Sequence, residues 1–113
     1  MYCQCCTRYV NRNAAVSVLP CRGDWTGQEL CEIDRVRAVC EKRSGLELEC
    51  SHTDEGDPWC VVYDQTRGRI ILHIARIDRC YVIVSPRQAK SARSTSIAQA
   101  VEAALTDLSQ VLA

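Results

Sequence analysis

Trp59-Cys60-Val61-Val62-Tyr63, Ile70-Ile71-Leu72-His73-Ile74 and Cys80-Tyr81-Val82-Ile83-Val84 are three apolar runs separated by short polar breaks. Each run is too short for a helix and rich in β-branched residues, which reads as a strand. The breaks are turns: Gln65–Gly68 is a four-residue hairpin loop ending on glycine, and Asp78-Arg79 is a tight turn. Strands joined this way pair antiparallel. Residues 70–74 are apolar at consecutive positions, so this strand is expected to be buried on both faces and to lie centrally.

Upstream, Leu46-Glu47-Leu48-Glu49-Cys50 alternates apolar and charged residues. That period of two predicts a half-buried strand with its glutamates toward water. Residues 27–44 predict a helix. Thr26 and Glu29 have capping-box spacing. Leu30, Ile33, Val36 or Arg37, and Cys40 share one face, widened by Val39, and Gly45 is the expected stop. Lys42 and Arg43 favour its carbonyl end. Residues 86–95 read as a polar, basic linker. Ser96 is then expected to cap a helix over 97–112, with Gln99 in the capping-box position. Its apolar stripe is Ile97, Val101, Ala104, Leu105, Leu108 and Leu112. Ala98, Ala100, Ala103 and Ala104 suggest a side that allows close approach, by a second copy among others. The expected class is α+β: a helix, a four-stranded antiparallel β-meander and a C-terminal helix, with both helices on one sheet face.

The 113 residues suffice for one domain, assigned to 24–113, with 1–23 as a loosely placed, cysteine-containing segment. A short strand is expected at Val16–Leu19. Hydrophobic residues make up 47% and charged residues 25%, ordinary for a globular chain. Phenylalanine is absent and there are nine cysteines. Several of these are expected to serve as small core residues. The odd count and the lack of a secretory h-region point to free thiols and a cytoplasmic setting. No apolar window is long enough to span a membrane. Net charge is zero but unevenly spread: residues 24–64 hold eleven acids and four bases, and residues 65–94 hold seven bases and one acid. Such a split suits pairing within the fold, pairing between copies, or a basic face for nucleic acid.

Asp54, Glu55 and Asp57 crowd a Gly/Pro turn that opens the strand at Trp59. Nuclease folds that place an Asp on one strand complete the site with Glu-x-Lys on the next. Here that strand reads His73-Ile74-Ala75-Arg76, so the pattern is not completed. His52, Asp54, Asp57 and His73 form an alternative metal set if the turn folds over the neighbouring strands. A lone strand histidine such as His73 is more often a packed core residue. Cys3 and Cys6, with Cys5 between them, make one Cys-x-x-Cys, for which Cys21 and Cys31 are the available further ligands. Arg67, Arg69, Arg76 and Arg79 are the candidates for phosphate contacts, with only Tyr63 and Tyr81 near for stacking. No nucleophilic serine motif, phosphate loop or dinucleotide fingerprint is present.

The block Thr53–Trp59 (TDEGDPW), with His73–Asp78 (HIARID) and Tyr81 after it, resembles uncharacterised bacterial proteins over roughly residues 52–85. The resemblance implies a bacterial, cytoplasmic setting and brings no activity or cofactor. The reading favoured by these residues is a non-enzymatic self-association or protein-interaction module. It would form a homodimer through helix 97–112 or a sheet edge, with the acidic turn (Asp54, Glu55, Asp57) meeting a basic surface. The alternatives are a nucleic-acid binder and a metal-dependent hydrolase.

Overall fold

The computed structural model describes residues 24–112. Helix α1 (Gly27–Glu41) is followed by strands β1 (Leu46–His52), β2 (Pro58–Asp64), β3 (Arg69–Ile77) and β4 (Cys80–Ser85). A 3-10 turn (Pro86–Gln88), strand β5 (Lys90–Ser94) and helix α2 (Ile97–Leu112) complete the order. The strands form one antiparallel sheet in the order β1-β2-β3-β4-β5. The class is α+β, with the helices packed on the sheet.

The expected linker at 86–95 is corrected to a turn and a fifth strand. Lys90–Ser94 pairs with β4 from Tyr81↔Ser94 to Ser85↔Lys90. Its sequence, Lys-Ser-Ala-Arg-Ser, has neither alternation nor β-branched residues, and four of the five are exposed. The strand is held by main-chain pairing and by polar bonds from its ends, Lys90 Nζ to Gln110 at 3.1 Å and the Ser94 hydroxyl to Gln99 at 3.2 Å, none of which leaves an apolar pattern in the side chains. Lys90 and Arg93 on this edge also discourage pairing with another chain's edge.

β3 is the central strand, as its apolar run suggests, but the reason differs. Val62 pairs with Leu72 and Tyr63 with Ile70, so Ile71 is an extra residue at a β-bulge. The bulge lets Ile71 and Leu72 both enter the core, while Ile70 stays 44% exposed. The consecutive burial of Ile71 and Leu72 thus reflects the bulge, whereas Ile74 and Ala75, on opposite faces, are both buried without one.

The core lies between this sheet face and the helices. Ile33, Val36 and Cys40 come from α1, and Val101, Ala104 and Leu108 from α2. They meet Cys60, Val62, Leu72, Ile74 and Ile83 of the sheet. Ala100 and Ala104 are fully buried here and let α2 approach the rest of the core closely, whereas Ala98 is exposed and Ala103 half-buried. α1 ends at Glu41, earlier than the predicted 44, with Lys42 as its C-cap. At α2, Ser96 Oγ accepts from the Gln99 amide at 3.3 Å, but Gln99 turns its side chain to the Ser94 hydroxyl.

Cys40, Cys50, Cys60 and Cys80 are free thiols, whereas Cys31 is disulfide-bonded, which corrects the expectation of free thiols at that position. Val16–Leu19 and Cys3, Cys5, Cys6 and Cys21 lie outside the described residues.

Asp78 and Arg79 both have positive φ, 52° and 63°, as a two-residue hairpin turn of the primed type requires. Gly45 has φ +87°, and its carbonyl accepts from the Gln65 amide at 2.8 Å, closing one end of the β1–β2 ladder. A Cβ there would lie 2.6 Å from Thr66 Oγ1, whereas one at Gly68 (φ +66°) would meet nothing nearer than Tyr63 Oη at 3.8 Å. Gly45→Ala is therefore expected to destabilise the fold by about 2 kcal/mol and Gly68→Ala by about 1 kcal/mol, read from urea unfolding midpoints.

Candidate functional site

The acidic turn is built by Thr53 and not by its acids. Thr53 Oγ1 accepts from the Asp57 amide at 3.1 Å. The Thr53 amide donates to the Asp57 carbonyl at 2.9 Å, and the Gly56 amide to the Thr53 carbonyl at 2.9 Å. Asp54 and Glu55 point into solvent, and Asp57 is half-buried. Among the described residues, no hydrogen bond or ion pair engages the carboxylates of Asp54, Glu55 or Asp57.

The histidine–aspartate set does not assemble. His52 pairs with Pro58 on the helix-covered face of the sheet, where it is exposed at the end of β1. His73 pairs with Val61 and Val84 on the other face and meets Trp59 edge to face, with ring centroids 6.1 Å apart. Burial depresses the His73 pKa below its usual 6.5. Among the described residues, no three His, Cys, Asp or Glu side chains gather to hold a metal.

The four arginines do not form one patch. Arg67 and Arg69 lie at the β2–β3 turn, Arg76 and Arg79 at the far end of β3. A strand rising about 3.3 Å per residue separates the two pairs by roughly 25 Å. Arg69 Nε is buried and makes no hydrogen bond. Arg67 instead borders a cavity of about 360 Å³ shared with Arg43, Arg87 and Asp64. Arg79 is exposed.

Arg76 is engaged inside the fold. It faces the helices, forms an ion pair with the buried Glu29, and donates to the Asp24 carbonyl at 3.1 Å. Its guanidinium lies 5.9 Å from the centroid of the Trp25 ring, within cation–π range. Tyr81, opposite Arg76 across the β3–β4 ladder, donates its hydroxyl to Glu29 Oε2 at 2.6 Å. The Tyr81 ring stacks on Trp25 at 6.5 Å between centroids. Glu29 also completes the capping box: its Oε1 accepts from the Thr26 amide at 2.8 Å, and its own amide donates to Thr26 Oγ1 at 3.1 Å. Thr26 and Glu29 were legible from sequence as a cap. The further use of Glu29 to anchor β3 and β4 was not, because Arg76 and Tyr81 are about fifty residues away.

Burial alone would raise the Glu29 pKa. Hydrogen bonds from Tyr81, the Thr26 amide and Arg76 outweigh it and hold the carboxyl below its ordinary 4.5. Burial, followed by the bond to Glu29, pushes the Tyr81 phenol well up. The Glu29–Arg76–Tyr81 set lies beside a shallow cavity of about 390 Å³ bordered by Gln28, Glu32, Thr95 and Ser96.

No protein-family model matches the chain, and no curated protein or solved structure matches it significantly. No described helix is long and apolar enough to cross a membrane.

Removing Glu29 strands Arg76 and the Tyr81 hydroxyl in a partly buried site. Glu29→Ala is expected to cost about 3 kcal/mol, measured by urea unfolding. Because the folded-state pKa is depressed, the stability from Glu29 is present above pH 4.5 and is lost as pH falls through the lower folded value. Thermal unfolding from pH 7 to pH 3 should show that loss in the wild type, and a smaller loss in Glu29→Ala. At the acidic turn, Thr53→Val should cost about 1 kcal/mol and Asp54→Ala almost nothing.

Proposed function

We propose that the protein is a self-association module in which two copies meet through the sheet face turned away from the helices. The observation that carries this reading is the composition of that face. Trp59, Val61 and Tyr63 of β2 lie on it beside His73 and Ala75 of β3, as the strand register requires. Val82 and Val84 extend it across β4. Ile77, 43% exposed, and Ile70 stand at its two ends. Among the described residues both helices pack on the opposite side; on this face Val61 and Ala75 are 8% exposed, Trp59, Tyr63, His73, Val82 and Val84 are half-buried, and Ile70 and Ile77 are exposed. Exposed apolar areas of this kind mark interaction surfaces.

Charge selects a second copy as the occupant. The β1 side of the face carries Glu47 and Glu49, which pair with Tyr63 and Val61, and the β5 side carries Arg93, which pairs with Val82. Two identical faces meet about a twofold axis lying in the interface. An axis along the strands sets β1 of one copy over β5 of the other, glutamate over arginine. An axis across the strands sets glutamate over glutamate. Both arrangements keep the strands aligned as stacked sheets prefer, so charge decides for the first. Five strands about 4.8 Å apart give a face roughly 20 Å on a side, and two copies bury on the order of 1,000 Å², near the threshold of a specific interface. The axis passes near β3, so His73 approaches its symmetry mate, where a neutral imidazole is the compatible form.

Light scattering on the full chain at tens of micromolar is expected to return twice the chain mass. Glu49→Arg should weaken association by at least about tenfold, and adding Arg93→Glu should restore it. A chain mass throughout, or a dimer indifferent to Ile77→Lys, would overturn this interface. A monomer in which residues 1–23 protect Val61 and Val82 from hydrogen exchange would mean that the chain covers its own face.

A further inference from the structure

The described cysteines are not scattered. Cys50 and Cys60 are direct partners across the β1–β2 ladder. Cys50 is exposed at the sheet edge, and Cys60 is 1% exposed in the core. The hydrogen-bond parity of this hairpin follows from its ends. The Thr53 amide bonds to the Asp57 carbonyl, and the Gln65 amide to the Gly45 carbonyl. Thr53–Asp57 and Gly45–Gln65 are therefore hydrogen-bonded pairs, and such pairs alternate with non-bonded ones along an antiparallel ladder. His52–Pro58 falls in the non-bonded class, consistent with the missing N–H of proline. Cys50–Cys60, two residues further on, falls in the same class. Its Cα atoms are the closer kind of partner, about 4.5 Å apart, within the span that a disulfide bridges.

We propose that Cys50 and Cys60 form a redox-active dithiol that reduces a hydroperoxide and closes as a cross-strand disulfide. Cys50, the accessible member, reacts first. Its thiolate sulfur attacks the terminal peroxide oxygen, the O–O bond breaks, and the alkoxide or hydroxide leaves and takes up a proton. Cys50 is then a sulfenic acid. The Cys60 sulfur attacks it, the S–O bond breaks, and the hydroxyl departs with the Cys60 proton as water. The balance is two thiols and one hydroperoxide giving one disulfide, one alcohol (or water) and one water. The peroxide gains the two electrons that the sulfurs lose. A thiol reductant reopens the bridge by exchange.

The surroundings fit this division of roles. The Cys60 thiol hydrogen-bonds to Cys50, and with the Arg37 guanidinium of α1 this outweighs burial and the nearby Asp34 carboxylate, bringing Cys50 down to about 7. The same pairing, together with burial, drives Cys60 far up, so it stays protonated until Cys50 has reacted. The buried Cys40 thiol of α1 belongs to the same core cluster as Cys60, its own ionisation suppressed mainly by burial. Arg37 reaches the pair while also holding Asp34 at 3.1 Å. This inference does not depend on association of two copies.

The test is peroxide treatment of the dilute full chain, followed by peptide mapping under non-reducing conditions. The expected product is one new linkage joining Cys50 to Cys60 within a single chain. Cys50→Ser, at an exposed position, should leave Cys60 unoxidised. Cys60→Ala should accumulate a Cys50 sulfenic acid that dimedone traps. Alkylation of Cys50 against pH should show a midpoint of about 7 and, at neutral pH, run about fivefold faster than a free cysteine peptide. Oxidation of Cys50 to sulfinic acid with no Cys60 linkage in the folded wild type would overturn the proposal. So would linkage only between chains, which needs no information from the Cys60 variant.

Discussion

Glu29 is the residue on which the arrangement of helix and sheet depends. A carboxylate in a folded interior is tolerated only when its charge and lone pairs are matched. The partners of Glu29 come from three elements: the Thr26 amide at the start of α1, Arg76 on β3 and Tyr81 on β4. Satisfying that one side chain fixes the start of the helix against the middle of the sheet. Trp25 completes the arrangement by stacking on Tyr81 beneath the Arg76 guanidinium. Its Nε1 is buried and makes no hydrogen bond, so the ring contributes through apolar and π contacts alone. Ile33, Val36 and Cys40 then follow along α1 at helical spacing and enter the core as a consequence of where Glu29 is held.

With the helices set on one face, the other face is defined by default. Parity along each strand decides its membership, and the bulge at Ile71 is the one place where parity slips. That slip exchanges two isoleucines: strict alternation from Leu72 would place Ile71 outside with His73 and Ile70 inside, whereas the bulge buries Ile71 and leaves Ile70 exposed opposite Tyr63.

Elements carried by periodicity were legible in the sequence. The capping box and helical spacing located α1, the Leu-Glu-Leu-Glu alternation located β1, and α2 was read to its observed bounds. β5 was not legible, since an edge strand held by backbone pairing needs no side-chain pattern. Ala104 was read on the buried stripe of α2, but the burial of Ala100 was not legible, because alanine suits a close-packed core and an exposed helix side equally. For the sites, the acids and arginines drew the eye by charge. Asp54 and Glu55 turn out to be solvated, and Arg76 is spent on Glu29. The Cys50–Cys60 pairing needed the register of the hairpin. Composition supplied the cysteines but not which ones face each other, and the Thr53-centred turn that sets the register is hidden behind the more conspicuous carboxylates around it.

The β1–β2 hairpin serves both sides of the sheet at once. Glu49 and Cys50 are consecutive, so they point to opposite faces: Glu49 beside Val61 on the uncovered side, Cys50 beside Cys60 on the helix side. Among the described strands β1 lies at an edge with one neighbour, and α1 reaches it from above, bringing Arg37 toward Cys50. An edge position gives the outer thiol access to solvent, and the core position of its partner keeps the second thiol protonated and fixed. A central strand would provide the second condition and deny the first. The same edge position places Glu47 and Glu49 at the rim of the face turned away from the helices, where in the proposed association their charge would set the register of a second copy. Both proposed roles follow from one fact of topology, a short alternating strand at the border of a sheet whose described helices lie on one side.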